Sequence, residues 1–131
     1  MPGFNLPERS FNSKIVLGNF PGEPIGYKAG DSLAFTITNR SSQVITFSHD
    51  FDVKIFKKTS AEWELIINKV EYSEGDRYLP PKAIEPTGLV LSVIPDVGEI
   101  RDSTTVRIVI VGQIEEKAEQ VGAYIDVKFI P

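Results

Sequence analysis

Residues 32–47 read SLAFTITNRSSQVITF. Leu33, Phe35 and Ile37 alternate with Ala34, Thr36 and Thr38, and Val44, Ile45 and Phe47 follow the polar tetrad Asn39-Arg40-Ser41-Ser42. Period-two alternation of β-branched and aromatic residues predicts half-buried antiparallel strands, and the tetrad reads as the hairpin turn joining them. The same grammar runs through the chain. Ile15-Val16-Leu17, closed by Gly18, predicts a first edge strand. A Pro- and Gly-rich loop over 19–24 follows, in which Pro21 and Pro24 forbid central-strand pairing. Ala29-Gly30-Asp31 reads as a turn in which glycine adopts positive φ at little cost.

Phe51, Val53 and Ile55 predict a further strand, and residues 62–67 (EWELII) its return after a turn over 57–61. There Trp63 and Leu65 share one face, which places Trp63, the single tryptophan, in the core. On that placement Trp63→Ala costs about 3–5 kcal/mol. Residues 88–94 (GLVLSVI) form a strand ended by Pro95. Residues 104–111 (TTVRIVIV) are apolar on both faces apart from Arg107, the mark of a central strand covered on both sides. Residues 113–121 (QIEEKAEQV) are good helix formers with Gly122 at the stop position, which predicts a short helix docked through Ile114 and Val121. Ala123, Ile125, Val127 and Phe129 alternate as a closing strand. The expected fold is an all-β, immunoglobulin-like antiparallel sandwich of Greek-key type, with roughly seven to nine strands and one helical segment near 113–121.

Residues 1–14 read as an N-terminal tail expected to lie across the sandwich, and residues 15–131 as the domain. At 131 residues the chain can bury one core. Its 41% hydrophobic and 24% charged content argues against disorder. The net charge of −4 has the wrong sign for a nucleic-acid footprint. With no cysteine there is neither disulfide nor thiolate chemistry. No apolar run reaches the ~20 residues of a membrane span. The first residues lack the layout of a signal peptide, so the chain is cytoplasmic or has lost a leader upstream.

Candidate chemistry is sparse. His49, the only histidine, sits beside Asp50 and Asp52. A catalytic zinc site needs more nitrogen ligands than this, and no G-x-S-x-G elbow supports a nucleophile. The cluster reads as a polar turn. Glu71, Glu74 and Asp76 form one acidic group and Asp96, Glu99 and Asp102 another; neither has EF-hand spacing, and both read as solvated loops. Gly18, Gly22, Gly26 and Gly30 lie among prolines with no phosphate-loop context. Lys54, Lys57, Lys58 and Lys69 are interleaved with acids, so no basic stripe emerges. The expectation is a non-enzymatic chain without cofactor or metal. Residues 68–86 are long for a loop without regular pattern, and such loops tend to be functional. Tyr72, Tyr78 and Leu79 within it are the candidate partner-binding residues.

Y27-K-A-G-D31, the strand ending in Thr38-Asn39 with Ser41, the Trp63 strand, GLVLSVIP and the closing Gly122-Ala123-Tyr124 resemble the bacterial immunoglobulin-like domains of extracytoplasmic proteins. The Gly-acidic turn, the Thr-Asn strand end and the stretch from Phe47 to Val53 are also similar to the intracellular proteinase inhibitor family of bacilli. The first resemblance implies an envelope-associated interaction or spacer domain with a protein partner. The second implies an inhibitor that docks the 76–82 loop, with Pro80-Pro81, into a protease cleft. A third expectation is a carbohydrate-binding accessory domain, which would need an exposed Trp63.

Overall fold

A computed structural model of the chain describes residues 6–19, 26–48, 51–60, 62–66, 77–79 and 88–131. The fold is an all-β sandwich built from two antiparallel sheets. The smaller sheet holds β1 (Ile15–Asn19), β2 (Leu33–Asn39) and β7 (Gly88–Val93), in the order β1-β2-β7. The larger holds β3 (Ile45–Phe47), β4 (Lys54–Lys58), β5 (Trp63–Ile66), β6 (Arg77–Leu79), β8 (Thr104–Ile114) and β9 (Glu119–Phe129).

The two longest strands form its spine. Along its whole length β8 pairs with β9, from Thr104↔Phe129 to Ile114↔Glu119. The other side of β8 is shared. Its first half pairs with β4, and its last residues, Gln113 and Ile114, pair with β3. Outside these, β5 extends β4 and β6 extends β3.

Alternation decides which side chains fill the space between the sheets. Leu33, Phe35 and Ile37 of β2 meet Ile45, Phe47, Ile55, Val106, Ile108, Ile110 and Phe129 of the larger sheet in one continuous core. The even-numbered residues of β8 face inward, so Arg107, Val109, Val111 and Gln113 face outward. The expected central, doubly covered strand is therefore present. Its outer apolar side chains meet a second cluster of Phe11, Phe56 and Val109, against which Leu6, Trp63, Val111 and Tyr124 pack. The N-terminal segment supplies Leu6 and Phe11 to this cover. Phe11 bridges Gly122 in parallel, and the Asn12 N–H donates to the Gly122 carbonyl (3.0 Å). This segment and a second parallel bridge, Tyr27↔Phe129, occupy the outer edge of β9, which would otherwise be a long template for mispairing.

Three expectations are corrected. First, β2 and β3 are not a hairpin. They are both strands, but they lie in different sheets. Residues 40–44 carry the chain across the ~10 Å between sheets, and Asn39 fixes the corner. Its side chain is fully buried. Nδ2 donates to the carbonyls of Gln43 (2.8 Å) and Leu79 (3.0 Å), while Oδ1 accepts from the Ser41 N–H and hydroxyl. An asparagine can satisfy both kinds of partner at once, which tethers the corner to β6 in the opposite sheet.

Second, the helix expected over 113–121 reduces to one 3-10 turn, Glu115–Lys117, with Ala118 in the left-handed region at φ 48°. Strand residues flank it on both sides. Helix propensity amounts to tenths of a kcal/mol per residue. Burying Ile114 and Val121 inside the sandwich, with a full ladder to β8, outweighs it. Gly122 is then a mid-strand residue rather than a helix stop. It is needed because the ring of Phe11 rests on it: a Cβ there would lie 2.7 Å from Phe11 Cε1. Gly30, by contrast, does take positive φ (92°), in a turn closed by Asp31 N–H to the Lys28 carbonyl.

Third, Trp63 does not lie between the sheets. It is partly buried on the outer face of the larger sheet. The β4–β5 hairpin, stitched by Thr59 to Glu62 (2.8 Å), pairs Phe56 with Leu65 and Lys58 with Trp63. Trp63 and Leu65 do share a face, as their spacing requires, but it is the face turned away from β2.

Candidate functional site

The outer face of the larger sheet carries the most organised polar cluster among the described residues, and Arg107 is its centre. Arg107 on β8 and Asp126 on β9 are direct cross-strand partners. That register lets the guanidinium fork meet the carboxylate with both arms, Nε to Oδ1 at 2.7 Å and Nη2 to Oδ2 at 2.9 Å. The guanidinium carbon lies 4.0 Å from the Tyr124 ring centre and 4.4 Å from that of Trp63. A planar, weakly hydrated cation is the side chain suited to such stacking on aromatic rings. The hydrogen bond it donates to Asp126 raises the Arg107 pKa from its ordinary value, against the opposing effect of burial.

The N-terminal segment closes the cluster. The Tyr124 hydroxyl donates to Glu8 Oε1 (3.0 Å), and its backbone N–H donates to Asn12 Oδ1 (2.9 Å). The bond to Glu8, then desolvation, pushes the Tyr124 hydroxyl above its usual pKa. At the other end of β9, Lys14 Nζ donates to both oxygens of Glu119 (2.8 and 3.0 Å) and holds that carboxyl below its usual value. The guanidinium is committed to Asp126 with two of its arms. The cluster joins β5, β8, β9 and the N-terminal segment.

The expected site residues separate. Tyr72 lies outside the described residues, as do His49, Asp50, Glu71, Glu74, Asp76, Lys69 and the Pro80-Pro81 pair. Tyr78 and Leu79 are strand rather than loop residues, paired with Thr46 and Ile45. Tyr78 is 65% exposed, but Leu79 is 3% exposed and sits in the core. Leu79 is thus removed from the candidate contact surface, because strand alternation turns neighbouring side chains to opposite faces. Asp52 pairs with Lys54 at 3.1 Å. Glu99 lies 3.6 Å from Arg101. No group of three or more His, Asp or Glu among the described residues could hold a metal ion.

Two features escaped the sequence reading. Leu65 is 59% exposed on β5, at the end of the larger sheet. Beside it, residues 64–66 and the segment that continues β7 enclose an open cleft of about 310 Å3. The alternation of Trp63 and Leu65 is visible in the sequence, but nothing in it distinguishes an outward apolar face from an inward one. Arg107 is visible only as a break in an apolar run, and its partners are 17 and 19 residues away on another strand. No protein-family model and no curated protein matches the chain.

Proposed function

We propose that this chain is a non-catalytic interaction domain, an immunoglobulin-like sandwich of a bacterial envelope-associated protein that engages a protein partner through the ends of its larger sheet. The observation that carries this reading is the placement of the two most exposed large apolar side chains among the described residues. Leu65 lies on β5 and Tyr78 on β6, the last strands of the larger sheet among the described residues on the side away from β9. Pairing register puts both on its outer face, in line with Arg107 and Gln113 of β8 respectively. Strand ends bearing apolar side chains are what edge-wise recognition of extended partners uses. The crossing from β2 to β3 between sheets supports a Greek-key arrangement.

The inhibitor reading draws less support. Leu79 is held in the core opposite Ile45, so a loop that includes it would have to leave the sheet to enter a protease cleft. The carbohydrate reading is weakened too, because the Trp63 ring is covered by Arg107.

The test is selection of displayed random peptides on the immobilised domain, with Leu65→Asp and Tyr78→Asp domains as counter-targets. The expected result is an enriched peptide family whose binding is lost on one of these variants, with both variants melting as the parent does. Failure to enrich any family, or binding indifferent to both variants, would overturn the reading. Titration against serine and metallo-proteases, following residual activity, tests the inhibitor alternative directly.

A further inference from the structure

Among the described residues β5 pairs only with β4, and along its other side no described strand takes up its backbone N–H and C=O groups, the arrangement to which an incoming strand adds. The open cleft lies over the β4–β5 pair, against residues 96–98, with Ile66 and the buried Val97 as its apolar lining and Glu64, Asp96 and Lys57 around them. Lys57 is already engaged, its Nζ directed at the Val97 carbonyl (3.3 Å). The carboxylates of Glu62 and Glu64 are exposed along the strand, and Asp96 is exposed across the cleft. A strand edge, an apolar groove alongside it and an excess of carboxylates therefore meet at one place.

We propose that β5 and this cleft form a docking site for an extended basic segment of a partner protein, added to the larger sheet as a further strand. The inference rests on the interaction-domain reading and names its partner class. Cross-strand pairing specifies the pattern. Opposite Ile66 and Leu65 the incoming strand needs apolar residues, one turned into the cleft and one lying on the outer face. Opposite Glu64 and Glu62 it needs Lys or Arg, and opposite Trp63 an aromatic or aliphatic residue. The motif is apolar-apolar-basic-apolar-basic for antiparallel addition and its reverse for parallel addition. A second copy of this chain fits less well: antiparallel pairing of two β5 strands centred on Trp63 or Glu64 sets carboxylate opposite carboxylate, which is destabilising.

The probes are the acetylated, amidated peptides TVLKYKT and TKYKLVT, the charge-reversed TVLEYET, and a proline-substituted TVPKPKT that cannot form a ladder. They are titrated into the isotopically labelled full chain and followed by amide chemical shifts. We expect one of the two basic peptides to shift the amides of residues 63–66 and 96–98. The shifts should weaken with salt and be absent for the acidic and proline peptides. Glu64→Lys should weaken binding about three- to tenfold and restore affinity for TVLEYET, with a small fall in melting temperature because it sets lysine opposite Lys57. The proposal falls if neither basic peptide shifts these amides at millimolar concentration, or if the proline peptide binds as well. It also falls if sedimentation shows a dimer broken by Glu64→Lys, since the occupant is then a second copy. If displayed peptides bind but map to Tyr78 and β6, the groove is refuted while the interaction-domain reading stands.

Discussion

Replacing Asn39 tests the central claim about how this sandwich is joined. Asn39→Ala removes two donated bonds, to Gln43 and Leu79, and two accepted ones from Ser41. The partners do not suffer equally. The Gln43 carbonyl keeps the Ser41 hydroxyl at 2.8 Å, and Ser41 stands close enough to the surface to meet water. The Leu79 carbonyl loses this donor inside the fold, and an orphaned buried acceptor costs about 1–3 kcal/mol. Adding roughly 1 kcal/mol for each of the better-compensated groups gives a loss of about 3–5 kcal/mol, a large share of the ~5–15 kcal/mol typical of a domain. Urea denaturation at pH 7 measures it, and the melting temperature should fall by roughly 10–20 °C for a chain of this size.

Asn39→Asp sharpens the test. It keeps the acceptor for Ser41 but sets a carboxylate against two carbonyl oxygens, so at pH 7 it should be less stable than Asn39→Ala. Burial and these carbonyls raise the folded-state pKa of the new carboxyl above its unfolded value. Its stability should therefore be highest below the unfolded value and be lost as pH rises. A loss under about 1 kcal/mol for Asn39→Ala, or an Asn39→Asp variant that is insensitive to pH between 4 and 7, would refute the pinning role.

Three further predictions follow from packing and charge. Gly122→Ala places a Cβ 2.7 Å from Phe11 Cε1 and 3.2 Å from the Ile110 carbonyl oxygen; it should cost about 1–3 kcal/mol, and Phe11→Leu should recover part of that loss in a double-mutant cycle. Trp63→Ala should cost only about 2 kcal/mol and leave the domain folded, since the ring covers the outer face of the sheet. A loss of 4 kcal/mol or more by denaturation would return Trp63 to the core. The pH profile should fall at both ends. Glu119, its pKa lowered from 4.5 by Lys14, contributes stability that is full above that value and lost as pH falls through the lower folded one. Tyr124, raised from 10.0 by Glu8, contributes stability that is present below that value and lost as pH rises through the higher folded one. Glu119→Gln should flatten the acid limb and Tyr124→Phe the alkaline limb, read by melting temperature against pH.

The chain alone determined its strands and much of its core. Period-two alternation is local, and Leu33, Phe35, Ile37, Val106, Ile108, Ile110, Val127 and Phe129 were committed to one buried face wherever their strands came to lie. The single break in residues 104–111, Arg107, likewise marked the face turned away from that core. The tertiary structure decided which strands are neighbours, because pairing depends on contacts distant in sequence. The tetrad after Asn39 has the composition of a hairpin turn, and only the carbonyl of Leu79, forty residues on, makes it a corner between sheets. Glu115, Glu116, Lys117 and Ala118 favour helix by small local energies. The ladder between β8 and β9 overrides them with burial that no local window contains. Trp63 and Leu65 could be assigned a common face but not which one, since both faces of the larger sheet are apolar: one meets β2, the other the N-terminal segment. The candidate contact surface shifted for the same reason. Tyr78 and Leu79 are adjacent in sequence, yet strand geometry sends one to solvent and the other into the core.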